Sequence, residues 1–403
     1  MQPYVFVIFL CLSSALQALD LPDAEQRALE SDPQLEALRA RATAFGHLAT
    51  ADAQLPDPQL RLGAQSLPLP SFDVRDEPMM QFQVGLEQRV PARSERRAAR
   101  KVQQARQESL AFEIAARALA VRAAVRLEWI QIVGVQSLIE LTGERSEVLA
   151  RYSQALSDGV QNGRVSQQAL LEGRARELRV KGTITQLRAQ LAERRAQLAF
   201  FLPAQDLPQT LITSGLPAPV DFDLADHPAV LAANSEALVA EAEIASARST
   251  FDPGWSWSLG IGRRIGSVPA GAPDDTLLNA SVRFELPLFT RDRQSRRLAA
   301  AEAFHRAALK APVDAQRALA ADLERARARA LLFADLARSY IDEILPPARE
   351  AVEAARDKYR NGTIPLEDVL AAEVEVLDIR HELIEAQLEA DRARVELAYL
   401  GNL

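Results

Sequence analysis

The side chains that could ligate a metal or attack a substrate are few and far apart in this sequence. Four histidines, His47, His227, His305 and His381, share no ligand spacing and read as surface or packing residues. Three methionines are too few for a soft-metal relay. The single cysteine, Cys11, lies in an apolar stretch near the amino terminus, so neither a disulfide framework nor a Cys-rich zinc module is expected. A Gly-rich phosphate loop, a nucleophile elbow and a paired metal motif are all lacking. Enzyme activity, a resident metal and a cofactor are therefore not expected. The net charge of −8, from 47 Lys and Arg against 55 Asp and Glu, disfavours nucleic acid as a partner. What remains is pattern: acids beside an Asn-Gly turn, Glu367 and Asp368, and paired aromatics in an alternating run, Trp255 and Trp257. Taken alone, Asp368 suits the first turn of a helix, where a carboxylate complements the helix dipole. Taken alone, the tryptophans suit either a core or a membrane boundary.

The compartment is legible at the amino terminus. From Tyr4 to Leu16 the chain is apolar for 13 residues, shorter than the roughly 20 that a spanning helix needs. Residues 1–18 read as a secretory signal closed by Leu16-Gln17-Ala18, although no Lys or Arg precedes the apolar run. Cys11 lacks the small residues before it that lipid attachment needs. No later stretch approaches a transmembrane helix, so entry into a membrane would require a closed β-barrel.

The elements that must position these residues come in two copies. Asp32-Pro33 precedes an Ala-rich helical stretch running to Asp57-Pro58, and His227-Pro228 precedes a similar stretch running to Asp252-Pro253, with the same spacing between prolines. Asn162-Gly163-Arg164-Val165-Ser166 matches Asn361-Gly362-Thr363-Ile364-Pro365, and Leu198-Ala199-Phe200 matches Leu397-Ala398-Tyr399 at one constant offset. The expected organisation is a first repeat over 19–202, a Pro-rich surface linker over 203–220 and a second repeat over 221–403, each made of a helix, two strands and a long helical hairpin. Ala92 to Leu202 contains none of the 22 prolines and is rich in strong helix formers. A helix from about Arg93 to Ser157 would be roughly 100 Å long. Its break is expected between Asp158 and Gly163. In the second half Pro312 and Pro346-Pro347 predict bends or a small side element.

Four segments alternate with a period of two: Gln59 to Gln65, Gln81 to Glu87, Trp255 to Gly262 and Leu278 to Leu286. Such alternation over about ten residues fits a tilted transmembrane strand, or a half-buried strand in a soluble sheet. Four strands are too few to close a barrel, so other copies must supply the rest. The last helix carries a heptad seam through Ala372, Val376, Ile379, Leu383, Ala386 and Ala390, and a second stripe through Leu377, Ile384, Leu388 and Val395. Two stripes predict neighbours on two sides. The first long helix has a comparable face through Leu110, Ile114, Ala118, Val121, Val125, Trp129 and Ile132.

These residues resemble the TolC-like outer membrane efflux protein family over essentially the whole mature chain. The resemblance rests on the duplicated plan and on the strand-to-helix passage Val84 to Pro91 with its counterpart Val282 to Pro287. Its most specific part is Lys358-Tyr359-Arg360-Asn361-Gly362-Thr363 followed by Asp368-Val369-Leu370. Leu55 to Leu60 looks most like the metal-efflux branch. The resemblance implies a mainly α protein with transmembrane β: a homotrimer whose 12-stranded β-barrel in outer membrane lipid continues as a periplasmic α-helical barrel. It implies a passive exit duct for small toxic compounds or metal ions in a tripartite efflux system, joined to an inner-membrane pump through a periplasmic adaptor. The alternatives are the conduit of a type I protein secretion system, since the pump chooses the cargo, and a periplasmic coiled-coil adaptor.

The resemblance also assigns positions. The adaptor-docking turns fall on Gly159, Gly163, Arg164, Val165 and Ser166, and on Asn361, Gly362, Thr363, Ile364 and Pro365. The periplasmic gate falls on Asp368, with Glu367 and Tyr359 beside it; a second acidic ring is lacking, since the position one turn later is Ala371. Three copies of Asp368 would ring a narrow lumen and favour cations. Trp255 and Trp257 are candidates for the aromatic girdle, and 68–78 and 268–275 for external loops.

Overall fold

A computed structural model describes residues 20–67, 79–202, 211, 222–264 and 276–401. The signal expected at 1–18, the external loops at 68–78 and 268–275, and the linker apart from Leu211 lie outside the described residues. The chain forms two compact units.

The first unit comprises Met1–Pro33, Ala118–Phe222 and Ala320–Leu403. Helix α1 (Leu21–Ser31) opens on Asp20, whose carboxylate accepts from the Asp23 N–H at 2.9 Å and satisfies an otherwise open donor. Helix α3 (Arg93–Gln161) runs for 69 residues because nothing in it interrupts the backbone ladder. Only its part from Ala118 onward belongs to this unit. Helix α4 (Gln167–Leu198) returns beside it. Leu21, Ala24 and Ala28 of α1 meet Val121, Val125, Trp129 and Ile132 of α3, and Leu198, Leu202 and Leu211 complete this core. The spacing of the α3 residues is the helical stripe expected from the sequence. Leu211 changes the picture of the linker: it is buried, and its N–H donates to Gln136 Oε1 at 3.3 Å. Arg126 and Glu25 form a buried two-pronged ion pair between α3 and α1, at 2.6 and 2.9 Å.

The second half of this unit departs from a single hairpin arm. Helix α7 (Ala311–Ser339), which enters this unit at Ala320, ends in a π-helical turn (Tyr340–Ile344), followed by α8 (Leu345–Arg360) and α9 (Leu366–Leu400). Pro346 and Pro347 lack the N–H that an α-helical ladder needs. The ladder widens just before them, and the Leu345 N–H reaches back to Tyr340 O. Both apolar stripes of α9 meet this same chain. Leu377, Ile379, Ala386, Ala390, Ala393 and Val395 are buried, α3 is joined through Arg380–Glu144 and Arg145–Asp378, and α7 through Arg329 to Glu389 and Glu396. The two stripes therefore do not by themselves demand a second copy.

The second unit comprises Gln34–Arg117 and Asp223–Leu319. It contains most of α2 (Pro33–Ala51), strands β1 (Gln59–Gln65) and β2 (Gln81–Val90), the start of α3, α5 (Pro228–Ser249), strands β3 (Trp255–Arg264) and β4 (Thr276–Phe284), and α6 (Gln294–Ala308). His227 is not a surface residue: it is buried, and its Nδ1 accepts from the Ala229 N–H at the start of α5. Leu286 lies beyond the end of β4. The break expected at Pro312 falls just before it, between α6 and α7. Helices α3 and α5 are pinned by buried Ser109 and Ser235, 2.8 Å apart, and by Arg106–Glu243 at 2.8 Å.

Candidate functional site

The four strands form one antiparallel sheet in the order β1-β2-β3-β4. Its register brings the apolar residues of all four onto one face. Leu60, Leu86, Leu259 and Ala280 stand in one row, Leu62, Val84, Ile261 and Leu278 in the next, and Val90, Trp255 and Phe284 in the row nearest the helices. A period of two on each strand requires this outcome once the pairing is in register. The face is bare: Leu62 and Leu278 are each 69% exposed. Trp255 and Trp257 lie on it in neighbouring rows, beside Phe284 and Val282.

The opposite face is polar and partly glycine. Arg61 and Arg283 both pair with Glu87, Gln65 accepts from Gln81 and Gln83, and the Ser258 and Ser281 hydroxyls are 2.9 Å apart. Gly85 and Gly260 face each other across β2 and β3, where an added Cβ on either would meet backbone atoms at 3.2–3.3 Å. A side chain at either would force the facing strand to give by a few tenths of an ångström, so glycine suits this approach.

Eleven large apolar side chains of the bare face are more than a third exposed. At about 1.5–3 kcal/mol for a fully exposed side chain taken out of water, and roughly half that for these, together they are comparable to the roughly 5–15 kcal/mol that holds a domain folded. Strands β1 and β4 each pair on one side only among the described residues.

The second candidate region is the pair of helical turns in the first unit. Helix α3 ends at Gln161, and Gly163 takes a φ of +66°; α8 ends at Arg360, and Gly362 takes +70°. Glycine is required at both, since a side chain is strained in this region. Their hydrogen bonds repeat residue for residue. Asn162, Gly163 and Arg164 donate to the carbonyls of Asp158, Val160 and Gly159, as Asn361, Gly362 and Thr363 do to Asp357, Tyr359 and Lys358. Ser166 caps α4 by accepting from the Ala169 N–H at 3.2 Å. Pro365 offers α9 no side-chain cap, and the acids Glu367 and Asp368 occupy that first turn instead. Gly159 differs from its expected place: it lies in the last turn of α3, where an added Cβ would meet Val165 Cγ2 at 2.5 Å.

The structure brings these turns together around one apolar cluster, in which Leu149, Tyr152 and Leu156 of α3 meet Leu170 of α4 and Leu370 of α9, with Val165 and Leu366 packed against them. Glu367 accepts a hydrogen bond from the Tyr152 hydroxyl; burial, and then this carboxylate, push the tyrosine above its ordinary range. Asp368 is exposed and has no side-chain partner among the described residues. Tyr359 is also exposed, on a cleft of about 410 Å³ that it shares with Tyr152, Arg356 and Glu373. Arg164, Asn361 and Thr363 are exposed, whereas Val165 and Ile364 are half-buried.

Sequence reasoning missed Tyr152 and the clamp Arg356–Glu373 at 2.7 Å, which ties α8 to α9 and raises the Arg356 pKa through its hydrogen bond to Glu373. It also missed Glu144, which the Arg380 guanidinium holds below the usual carboxylate range. Those two residues lie 236 positions apart, and no local pattern links them. Among the described residues no group of His, Cys, Asp and Glu is placed to hold a metal ion, and no helix is long and apolar enough to cross a membrane.

Comparison with known proteins bears on this geometry. Residues 223–402 match the family described as outer membrane efflux protein. No curated protein sequence matches the chain. Among solved structures, a membrane protein from Pseudomonas aeruginosa is 17% identical, with a TM-score of 0.78 over 94% of this chain and 89% of its own. The outer membrane protein VceC from Vibrio cholerae is 17% identical, with a TM-score of 0.75 over 94% and 96%. The open state of the MtrE outer membrane channel from Neisseria gonorrhoeae is 17% identical, with a TM-score of 0.74 over 95% and 88%. At these identities the likeness establishes a shared fold. Residues 223–402 are thus matched by sequence to the outer membrane efflux proteins, and nearly the whole chain shares the fold of solved outer membrane channels.

Proposed function

We propose that the chain assembles as a homotrimer in which four strands from each copy close a 12-stranded barrel in the outer membrane. The observation that carries this reading is the four-stranded sheet with one bare apolar face and two edges that are unpaired among the described residues. Water penalises the face and lipid penalises the edges; closure with further copies, apolar side outward, relieves both. The polar face with its arginines, glutamines and glycines then lines the lumen. Trp255 and Trp257, in the rows nearest the helices, lie at the periplasmic boundary of the membrane. The two repeats, 19–202 and 221–403, each supply one hairpin of the barrel and one helical hairpin of its periplasmic continuation.

In this reading the helices form the wall of a periplasmic duct, and the turns at Asn162 to Ser166 and Asn361 to Pro365 dock a periplasmic adaptor that joins an inner-membrane pump. Asp368 faces the lumen near the duct's end, with Glu367 held by Tyr152 behind it. The channel is passive and passes small toxic compounds or metal ions. Chemical crosslinking of the detergent-purified protein, with planar-bilayer recording, tests assembly: trimers that conduct are expected. A monomer that dissolves without detergent and passes no current would defeat the proposal. Deleting the gene and scoring sensitivity to metals, drugs and detergents identifies the cargo class.

A further inference from the structure

The chain is acidic overall, yet the two passages from strand into helix are strongly basic. Residues 93–101 and 291–297 hold nine Arg and Lys against two acids, in a chain of net charge −8. These cations stand at the amino-terminal ends of α3 and α6, where the helix dipole already presents partial positive charge and favours anions. Little within the chain offsets them. Arg96 donates to the Ala53 carbonyl, and Arg296 lies 3.9 Å from Asp292. Arg93, Arg97, Arg100 and Lys101, with Arg291, Arg293 and Arg297, are exposed and form no ion pair among the described residues. Both passages leave the sheet at the same end, since Val90 and Phe284 flank Trp255 in one row.

An apolar segment adjoins the second cluster. Leu286, Leu288 and Phe289 are 65%, 73% and 91% exposed, directly beyond β4. Leu286 and Pro287 share with Arg293 and Arg297 an open cleft of about 570 Å³. Of the acids in that cleft, Glu285 is engaged by Arg89, and Asp252 by the Ser94 hydroxyl; Glu95 also lines it. Exposed apolar groups followed within a few residues by cations that form no ion pair among the described residues are the pattern that seats a chain at a headgroup layer.

We infer that these two basic passages form a collar that binds the phosphates of anionic phospholipids in the periplasmic leaflet, with Leu286, Leu288 and Phe289 set into the acyl boundary. The inference rests on the barrel reading above, which places the helix end of the sheet at that leaflet. The occupant is phospholipid rather than lipopolysaccharide, because in that reading the helix end of the strands faces the periplasm.

Tryptophan quenching by brominated lipid tests this, because Trp255 and Trp257 lie in the rows next to the collar. The full-length protein in mixed micelles is titrated with brominated phosphatidylglycerol and, separately, brominated phosphatidylcholine. A preference for phosphatidylglycerol of about tenfold is expected, since each cation near an anionic surface contributes appreciably, and about 1 M salt should erase it. The combined variant R93Q/R97Q/R100Q/R291Q/R293Q/R297Q should bind both lipids equally. If it fails to assemble, R93Q/R97Q/R100Q and R291Q/R293Q/R297Q made separately should each lose part of the preference. Equal quenching by both lipids in the unmodified protein, an unchanged preference in the variants, or stronger competition by lipopolysaccharide than by phosphatidylglycerol would overturn the collar. Crosslinking and conductance of the same preparations report the trimeric channel independently, so equal quenching by both lipids in an unmodified, conducting trimer rejects the collar alone.

Discussion

At the scale of single residues, the folded state depends on polar groups whose partners come from distant parts of the chain. Arg126 is 7% exposed, and its two-pronged contact with Glu25 helps a charge sit there. Glu25→Ala removes both of those hydrogen bonds and should cost up to about 3–5 kcal/mol, read as a lower denaturant midpoint in detergent; an unchanged midpoint would show that the pair does not hold α1 to α3. Two other carboxylates should respond to pH with opposite signs. Hydrogen bonding to Arg380 depresses Glu144. Its contribution is present above the ordinary carboxylate range and lost as pH falls through the depressed value. Burial, and then the neighbouring Glu236, raise Glu113, so its contribution is complete below the ordinary range and is lost as pH rises through the raised value. Thermal melts should therefore show Glu144→Gln below and Glu113→Gln above the unmodified protein at pH 7. Both gaps should shrink on acidification to about pH 4. Two shifts of the same sign would contradict the assignment.

At the scale of elements, the sheet makes the sharpest statement, because neighbouring residues on one strand face opposite environments. Val84 stands in the apolar row with Leu62, Ile261 and Leu278, and Gln83 on the polar face beside Gly63 and Gly262. Val84→Arg should destabilise the assembled channel by about 2–4 kcal/mol per copy, and Gln83→Arg by no more than about 1 kcal/mol, measured as the temperature at which crosslinked trimers are lost. Equal effects would mean that the two faces are not lipid and lumen. This part of the molecule was legible in advance, since a period of two survives in any pairing that keeps register, and Leu60 to Ala64 and Trp255 to Ile261 show it without interruption. The helix stripe Val121, Val125, Trp129 and Ile132 was legible for the same reason at a period of 3.6. Helix α1 was missed: its stripe of Leu21, Ala24 and Ala28 spans only three positions, and what holds them is Trp129 and Leu198 from far along the chain. Nor were the ion pairs between helices legible, because an exposed Arg and a distant Glu leave no mark on either local sequence. The two stripes of α9 were visible, but not their partner, since periodicity tells that a face is covered and not by which chain.

At the scale of the whole molecule, the channel's selectivity should depend on how many copies carry the acid at position 368. One chain presents Asp368 exposed and unpartnered in the first turn of α9, beside a turn fixed by Gly362. A lone exposed carboxylate in high dielectric has a weak effect on passing ions. Three in a narrow ring reinforce one another and raise the local cation concentration. Substituting Asn removes the charge while keeping size and hydrogen-bonding capacity, so Asp368→Asn should lower the cation preference measured as reversal potential across a salt gradient. Co-expressing the two forms then counts subunits. A homotrimer gives four kinds of channel, with none, one, two or three acids, and single-channel recordings should fall into four classes of reversal potential in binomial proportion. Two classes alone would mean that a single copy makes the pore. A continuum would mean that position 368 lines no common opening, and unchanged selectivity would remove the acid from the lumen altogether. The collar and this ring act at different places, one toward lipid and one toward passing ions. The same mixed channels should therefore retain the lipid preference of the unmodified protein whatever class of selectivity they fall in.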